Sequence, residues 1–336
     1  MMLSSSIIEI IACCVLIFVS LLGNTILIYC TWKCITRRLP TSFALIFSLA
    51  FAHVVKNIAI NAMNIIFNAG LIPNSHICKF GLFTASLTTK LEIWFTFYLA
   101  VFYCVKLSRV VHPLRTPPNG KWRKHHLIAV FLLWVTGIAV CCPYLAFGNN
   151  MQGGARRLLL NNTYPFHHSF LYEECILNFP HTAVELYYHQ IFMVLTDLIP
   201  LAILVLVSFR ILLLFYEQKK ATYGNIWIGH DPSETEVLRA SKVIILLMFL
   251  VTALWVAHFV LVLLLKYIWS WYLTSTLLVV MFSGYSSLSP YLLMLINYKI
   301  SLQIRSLSSF CCTDSKPKTL PTSSQKSLPE EPTPED

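Results

Sequence analysis

The sequence predicts an all-α membrane protein: a seven-transmembrane helix bundle with a short amphipathic eighth helix. Three observations lead there. Of 336 residues, 57% are hydrophobic and 12% charged, where a soluble domain carries about 25% charged; the mean hydropathy is +0.67. Seven apolar runs fall near 7–32, 43–67, 79–107, 127–147, 187–215, 241–266 and 272–296, each able to cross a bilayer core of roughly 20 residues. Basic residues then collect in alternate loops. Lys33, Arg37 and Arg38, the stretch from Lys106 to Lys124, Lys219, Lys220, Arg239 and Lys242, and finally Lys299 and Arg305 fall on one side. The other side carries Lys79, Arg156, Arg157 and Lys266. Because Lys and Arg accumulate on the cytosolic face, the N-terminus is expected outside and the C-terminus in the cytosol of a multi-pass plasma-membrane protein. The net charge of +10 follows from the same bias, so membrane lipid is an expected partner and nucleic acid is not. Residues 1–310 are expected to form one membrane domain, and 311–336 a disordered cytoplasmic tail.

The first run lacks the basic start of a cleavable signal peptide and reads as a span. Its Gly23-Asn24 pair puts an amide in hydrocarbon, where it bonds a neighbouring helix. In the second run His53 and Lys56 are three apart and share a face. A lysine inside a span needs a counter-charge, and Glu92 on the third is the expected one, either as a structural pair or as a switch element.

The third run extends from Cys78 to Leu107, about 45 Å as a helix, so it must tilt or overhang the bilayer. Lys90 lies two residues from Glu92 and points to roughly the opposite face, towards a pocket or another helix. The fourth run contains Trp134. The loop 148–186 carries Asn161-Asn162-Thr163, the chain's one N-x-[ST] sequon, which makes Asn161 a glycosylation candidate.

The 11 cysteines lie mostly in apolar runs, as small buried hydrophobes. No CxxC pair suggests a metal, and no cofactor is expected. Cys78 and Cys175 are the two that fall clearly outside, where oxidising conditions favour a disulfide; the alternative is two free thiols.

The fifth run holds Asp197 and a helix-kinking Pro200. Gly229 to Glu234 reads as a polar loop opening on a capped helix start. Trp255 and His258 share a face of the sixth run. The seventh reads Gly284-Tyr285-Ser286-Ser287-Leu288-Ser289-Pro290-Tyr291, then Asn297-Tyr298-Lys299. Beyond it, 299–310 alternates apolar and basic residues like a helix lying on the membrane. Cys311 and Cys312 follow as candidate palmitoylation sites, ahead of a Pro-, Ser-, Lys- and Glu-rich tail.

Seven helices, the Cys78/Cys175 pair, Gly23-Asn24, Trp134 and Pro200 together resemble rhodopsin-like G-protein-coupled receptors over about residues 10–305. Tyr103-Cys104-Val105-Lys106 stands where that family has Asp-Arg-Tyr. Ser289-Pro290-Tyr291 stands near its Asn-Pro-x-x-Tyr. His53 replaces the usual second-helix aspartate, so sodium binding is not carried over. Ser286-Ser287-Leu288-Ser289-Pro290-Tyr291-Leu292 is similar to vomeronasal type-1 receptors and the fish class-A-related olfactory receptors. Ile93-Trp94-Phe95, Val101-Phe102-Tyr103, Val105-Lys106-Leu107, His112-Pro113-Leu114 and Asp231-Pro232-Ser233 look like bitter taste receptors. The reading favours the vomeronasal and olfactory side, with a bitter taste receptor as the alternative.

The resemblance implies a chemosensory receptor that binds a small-molecule odorant or pheromone between its helices and activates a heterotrimeric G protein. Below the Cys78 bridge, Ala85, Ser86, Thr89, Lys90, Asp197, Trp255, His258 and Tyr285 are the expected ligand contacts. Lys106, Arg109 and His112 would face the G protein. Glu92 would meet His53 or Lys56 where related receptors hold sodium. Two other classes compete. A transporter could use Lys56, Lys90, Glu92 and Asp197 as an ion path, but the repeated halves common in transporters are not evident. An intramembrane enzyme would need a nucleophile or metal set, and neither HExxH nor GxSxG occurs.

Overall fold

The structure, a computed structural model, describes residues 2–36, 42–71, 74–111, 121–150, 175–177, 179, 181, 183–184, 187–188, 191, 193–224, 242, 244–257, 260 and 271–296. Among the described residues seven helices form the transmembrane bundle: α1 Met2–Thr36, α2 Ser42–Asn68, α3 Ser75–Val111, α4 Lys121–Phe147, α5 Ile199–Gly224, α6 Ile244–Ala257 and α7 Trp271–Ile296. The first five are long and apolar enough to cross a bilayer. His112, Asn161, the 229–234 loop, His258, the expected eighth helix at 299–310, Cys311 and Cys312 lie outside the described residues.

α3 is the centre of the packing. It lies against α2, α4 and α5, while α1 packs on α2 and α7 and closes the other flank. Its 37 residues make it about 55 Å long, well beyond the span the sequence marked. Both ends of the α2–α3 connection have hydrogen-bonded caps. Gly70, at φ 73°, ends α2 in a left-handed turn in which Leu71 N–H donates to Ile66 O and Gly70 N–H to Phe67 O, the pairing of a Schellman cap. Asn74 then starts α3, its side-chain oxygen accepting from Ile77 N–H at 2.9 Å as N-cap residues do.

Leu49, Leu91, Phe95, Leu99, Leu204 and Leu247 are buried along the central seam, and Phe18, Phe131, Leu206 and Phe249 point outward. The outward set suits a helix surface solvated by lipid. Adjacent helical residues diverge by about 100°, which splits two cysteine pairs. Cys13 and Cys141 are buried, whereas Cys14 and Cys142 are exposed, so the expectation of buried cysteines holds for only one member of each.

Pro143, Pro200 and Pro290 each withhold a helical donor from a backbone carbonyl, and for the last two a neighbouring helix serves that carbonyl. Pro200 has no N–H to offer Thr196 O, four residues back. Just before it the chain forms a π-turn, Met193–Leu198, rather than the simple kink expected, and Trp94 Nε1 on α3 donates to Thr196 O at 2.9 Å. Likewise Pro290 leaves Ser286 O, which accepts from Asn24 Nδ2 on α1 at 3.1 Å. Gly23 permits that approach, because a Cβ there would come within 2.9 Å of Pro290 and Tyr291. Asn24→Ala should therefore strand a buried carbonyl and cost about 1–3 kcal/mol. Thermal unfolding of the purified protein in detergent would register it; an unchanged melting temperature would mean that this bond contributes nothing.

Directly after α4, a strand absent from the sequence reading, β1 Gly148–Asn150, pairs antiparallel with β2 Cys175–Leu177, Asn150 opposite Cys175. Cys175 is bonded to Cys78, with Cα atoms 5.4 Å apart. The disulfide thus clips the hairpin onto the first turn of α3, where Cys78 and Cys175 pack with Ile60, Met63, Leu82 and Ala85.

Candidate functional site

Two ion pairs lie on different sides of α3. On the α2 side Lys56 Nζ donates to Glu92 Oε2 at 2.7 Å, with side chains only 2% and 3% exposed. His53 Nε2 stands 3.9 Å from the same oxygen and has no hydrogen-bond partner among the described residues. So of the two basic groups expected for Glu92, Lys56 makes the bond and His53 stands behind it. On the α5 side Lys90 Nζ donates to both Asp197 oxygens, at 2.6 and 2.5 Å. Thr196 Oγ1 adds a bond to Asp197 at 3.2 Å. The two-residue spacing explains the arrangement: on α3, positions 90 and 92 are about 200° apart, so each charge meets a different neighbour.

A cavity of about 20 Å³ opens beside the first pair, lined by Lys56, Glu92, Leu254, Trp255, Met281, Phe282 and Tyr285. That is room for about one water or one head group. The Lys56 ammonium lies 5.4 Å from the centroid of the Phe282 ring, within cation–π range. Tyr285 shares a 2.9 Å bond with Thr96 on α3 and meets the His53 ring edge-on at 5.4 Å.

A polar seam runs from there along α2 and α7. Asn57 Nδ2 donates to Ser286 Oγ at 2.7 Å, Ser287 Oγ to Asn57 Oδ1 at 3.1 Å, and Ser283 Oγ to Asn61 Oδ1 at 3.3 Å. His53 Nδ1 reaches Ser289 Oγ at 3.4 Å. Among the described residues, no group of three His, Cys, Asp or Glu side chains could hold a metal ion.

The family described as Taste receptor protein (TAS2R) matches residues 1–312. The chain belongs to the taste receptor family. No curated protein matches it. The match falls on the taste side of the two resemblances. The vomeronasal and olfactory side, favoured on the α7 serines, has no such support.

In this taste receptor the seven ligand candidates among the described residues do not gather in one place; His258 lies outside them. Trp255 and Tyr285 line the cavity, and Lys90 and Asp197 are paired with each other. Ser86 faces α4, where Cys141 Sγ lies 3.6 Å from its hydroxyl. Ala85 is packed into the cluster under the disulfide, and Thr89 is buried. At the opposite end of α3, Lys106 is exposed, its ammonium 5.8 Å from the centroid of the Tyr103 ring. Arg109 is half-buried.

Sequence reasoning missed Phe282, Leu254 and Met281 on the cavity wall, and the Asn57–Ser286–Ser287 knot. Phe282 was within reach, since it stands three residues before Tyr285 and shares its face. Asn57, Asn61 and Asn64 follow the same helical spacing, all buried on α2, and that repeat was the signal for the seam.

Proposed function

We propose that this protein is a chemosensory G-protein-coupled receptor of the bitter taste type, which binds a small molecule between its helices and activates a heterotrimeric G protein. The taste receptor match over 1–312 carries the reading. The chamber between α2, α3, α6 and α7 supports it, with Trp255 and Tyr285 as ligand contacts. The α7 serines, which form the polar seam, support an olfactory or pheromone receptor as the second reading. Calcium release evoked by a library of bitter compounds and odorants, in cells carrying the chain with a promiscuous G protein, tests both. Responses confined to odorants would favour the second, and silence across the library at normal surface level would reject the first.

In this reading the disulfide end faces outward and residues 1–310 are the receptor domain, ahead of the 311–336 tail with its palmitoylation candidates. Asn161 would then carry glycan. Glycosidase should shift the wild-type band on a gel and leave Asn161→Gln unmoved; an unmoved wild-type band would refute it.

Lys106, Arg109 and His112 would face the G protein. Reversing Lys106 and Arg109 to Glu should abolish coupling, read as a loss of agonist-evoked calcium at unchanged surface level. Basic groups near the leaflet also gain about 1 kcal/mol each from anionic lipid, and intact coupling in that variant would leave lipid attraction as their role.

A further inference from the structure

We infer that the cavity beside Lys56 and Glu92 is a binding site for the neutral, hydrogen-bonding head group of a ligand, a hydroxyl or amide, and that it rejects head groups carrying a single charge. This rests on the receptor reading above and names the ligand chemistry of its chamber.

The floor of the cavity is an ion pair that is already neutral. An ammonium has three N–H donors and a carboxylate two oxygens. Lys56 gives one N–H to Glu92 Oε2, and among the described residues neither a second acceptor for Lys56 nor a donor to Glu92 Oε1 is bonded. Both residues line the cavity, so it offers donors and an acceptor side by side. A hydroxyl or amide, which donates and accepts through one small group, satisfies both at once. The volume of about 20 Å³ fits one such group. The rest of the ligand would lie on Leu254, Trp255, Met281 and Phe282, which are apolar or aromatic.

A charged head group has no such place. A ligand carboxylate on a spare N–H of Lys56, or a ligand ammonium on Glu92 Oε1, would add a third charge to a pair that is already balanced. Either leaves one uncompensated charge among side chains 2% and 3% exposed, and a buried charge without its own partner is costly. Tyr285 does not relieve it, because its hydroxyl is shared with Thr96, and the Phe282 face already has the Lys56 ammonium near it.

Three probes with one ring and different heads test this: 2-phenylethanol, phenylacetate and 2-phenylethylammonium. Their binding to the purified full-length receptor in lipid nanodiscs can be followed by saturation-transfer NMR, with empty nanodiscs subtracted. The alcohol should bind at least tenfold more tightly than either ion. Its signal should fall at least tenfold in Lys56→Met/Glu92→Leu, which removes the pair without stranding a charge, and in Phe282→Ala. Equal binding of an ion, absence of alcohol binding, or unchanged alcohol binding in the folded double variant would each overturn the inference. Calcium responses of the wild type in the compound library are independent of this measurement. A receptor that signals but fails the NMR test keeps its function and loses only this ligand class.

Discussion

Glu92→Gln should sharply reduce the amount of receptor reaching the cell surface. The substitution keeps the shape of the side chain and removes the charge that Lys56 meets at 2.7 Å. The lysine stays 2% exposed with no carboxylate beside it, and breaking a buried pair from one side costs about 3–5 kcal/mol. Such a loss is a large share of the 5–15 kcal/mol that typically separates folded from unfolded protein. Lys56→Met alone should be comparably damaging, since it strands Glu92. Lys56→Met with Glu92→Leu should recover much of the surface level, because well-packed apolar replacements of a buried pair are often neutral. Flow cytometry on tagged receptor, with melting temperatures in detergent, reads both effects. If the double variant is worse than either single, the pair is not the unit that matters.

Cys78→Ser should be the second severe change. The bond it removes closes a sequence separation of 97 residues, and loss of a native disulfide costs about 2–5 kcal/mol. The effect extends beyond stability, since the bridge ties the β1–β2 hairpin to the first turn of α3. Cys175→Ser should match it, and the double substitution should be no worse than either single. Surface level and agonist response are the measurements. Full signalling by Cys78→Ser would show that the hairpin holds its position without the bond.

Much of the bundle was legible in the sequence because the bilayer makes it so. Runs that must bury their backbone polar groups in hydrocarbon become helices, and the α3 charges have so few partners in reach that spacing and cost alone narrow the partner of Glu92 to His53 or Lys56. What stayed hidden depends on register between helices. That Lys90 would meet Asp197 required knowing how α3 and the π-turn are set against each other. A proline at position 200 announces a disturbance, but the π-turn it accompanies has its Thr196 carbonyl served by Trp94, which is distant in sequence. The family choice turned on short matches in α7, where serines three and four apart also do structural work as partners of Asn57 and Asn61. Those serines resembled one receptor group for reasons of packing that another can share.

The capped connection between α2 and α3 has a mechanical consequence. Gly70 closes one helix and Asn74 opens the next, the disulfide grips α3 one turn further on, and Lys56–Glu92 bolts the two helices together deeper in the bundle. These two helices form one clamped wall of the chamber. Of its other walls, Met281, Phe282 and Tyr285 lie on α7, which the serine seam laces to α2, and Leu254 and Trp255 lie on α6, so a ligand that spread the chamber through α7 would have to strain that lacing.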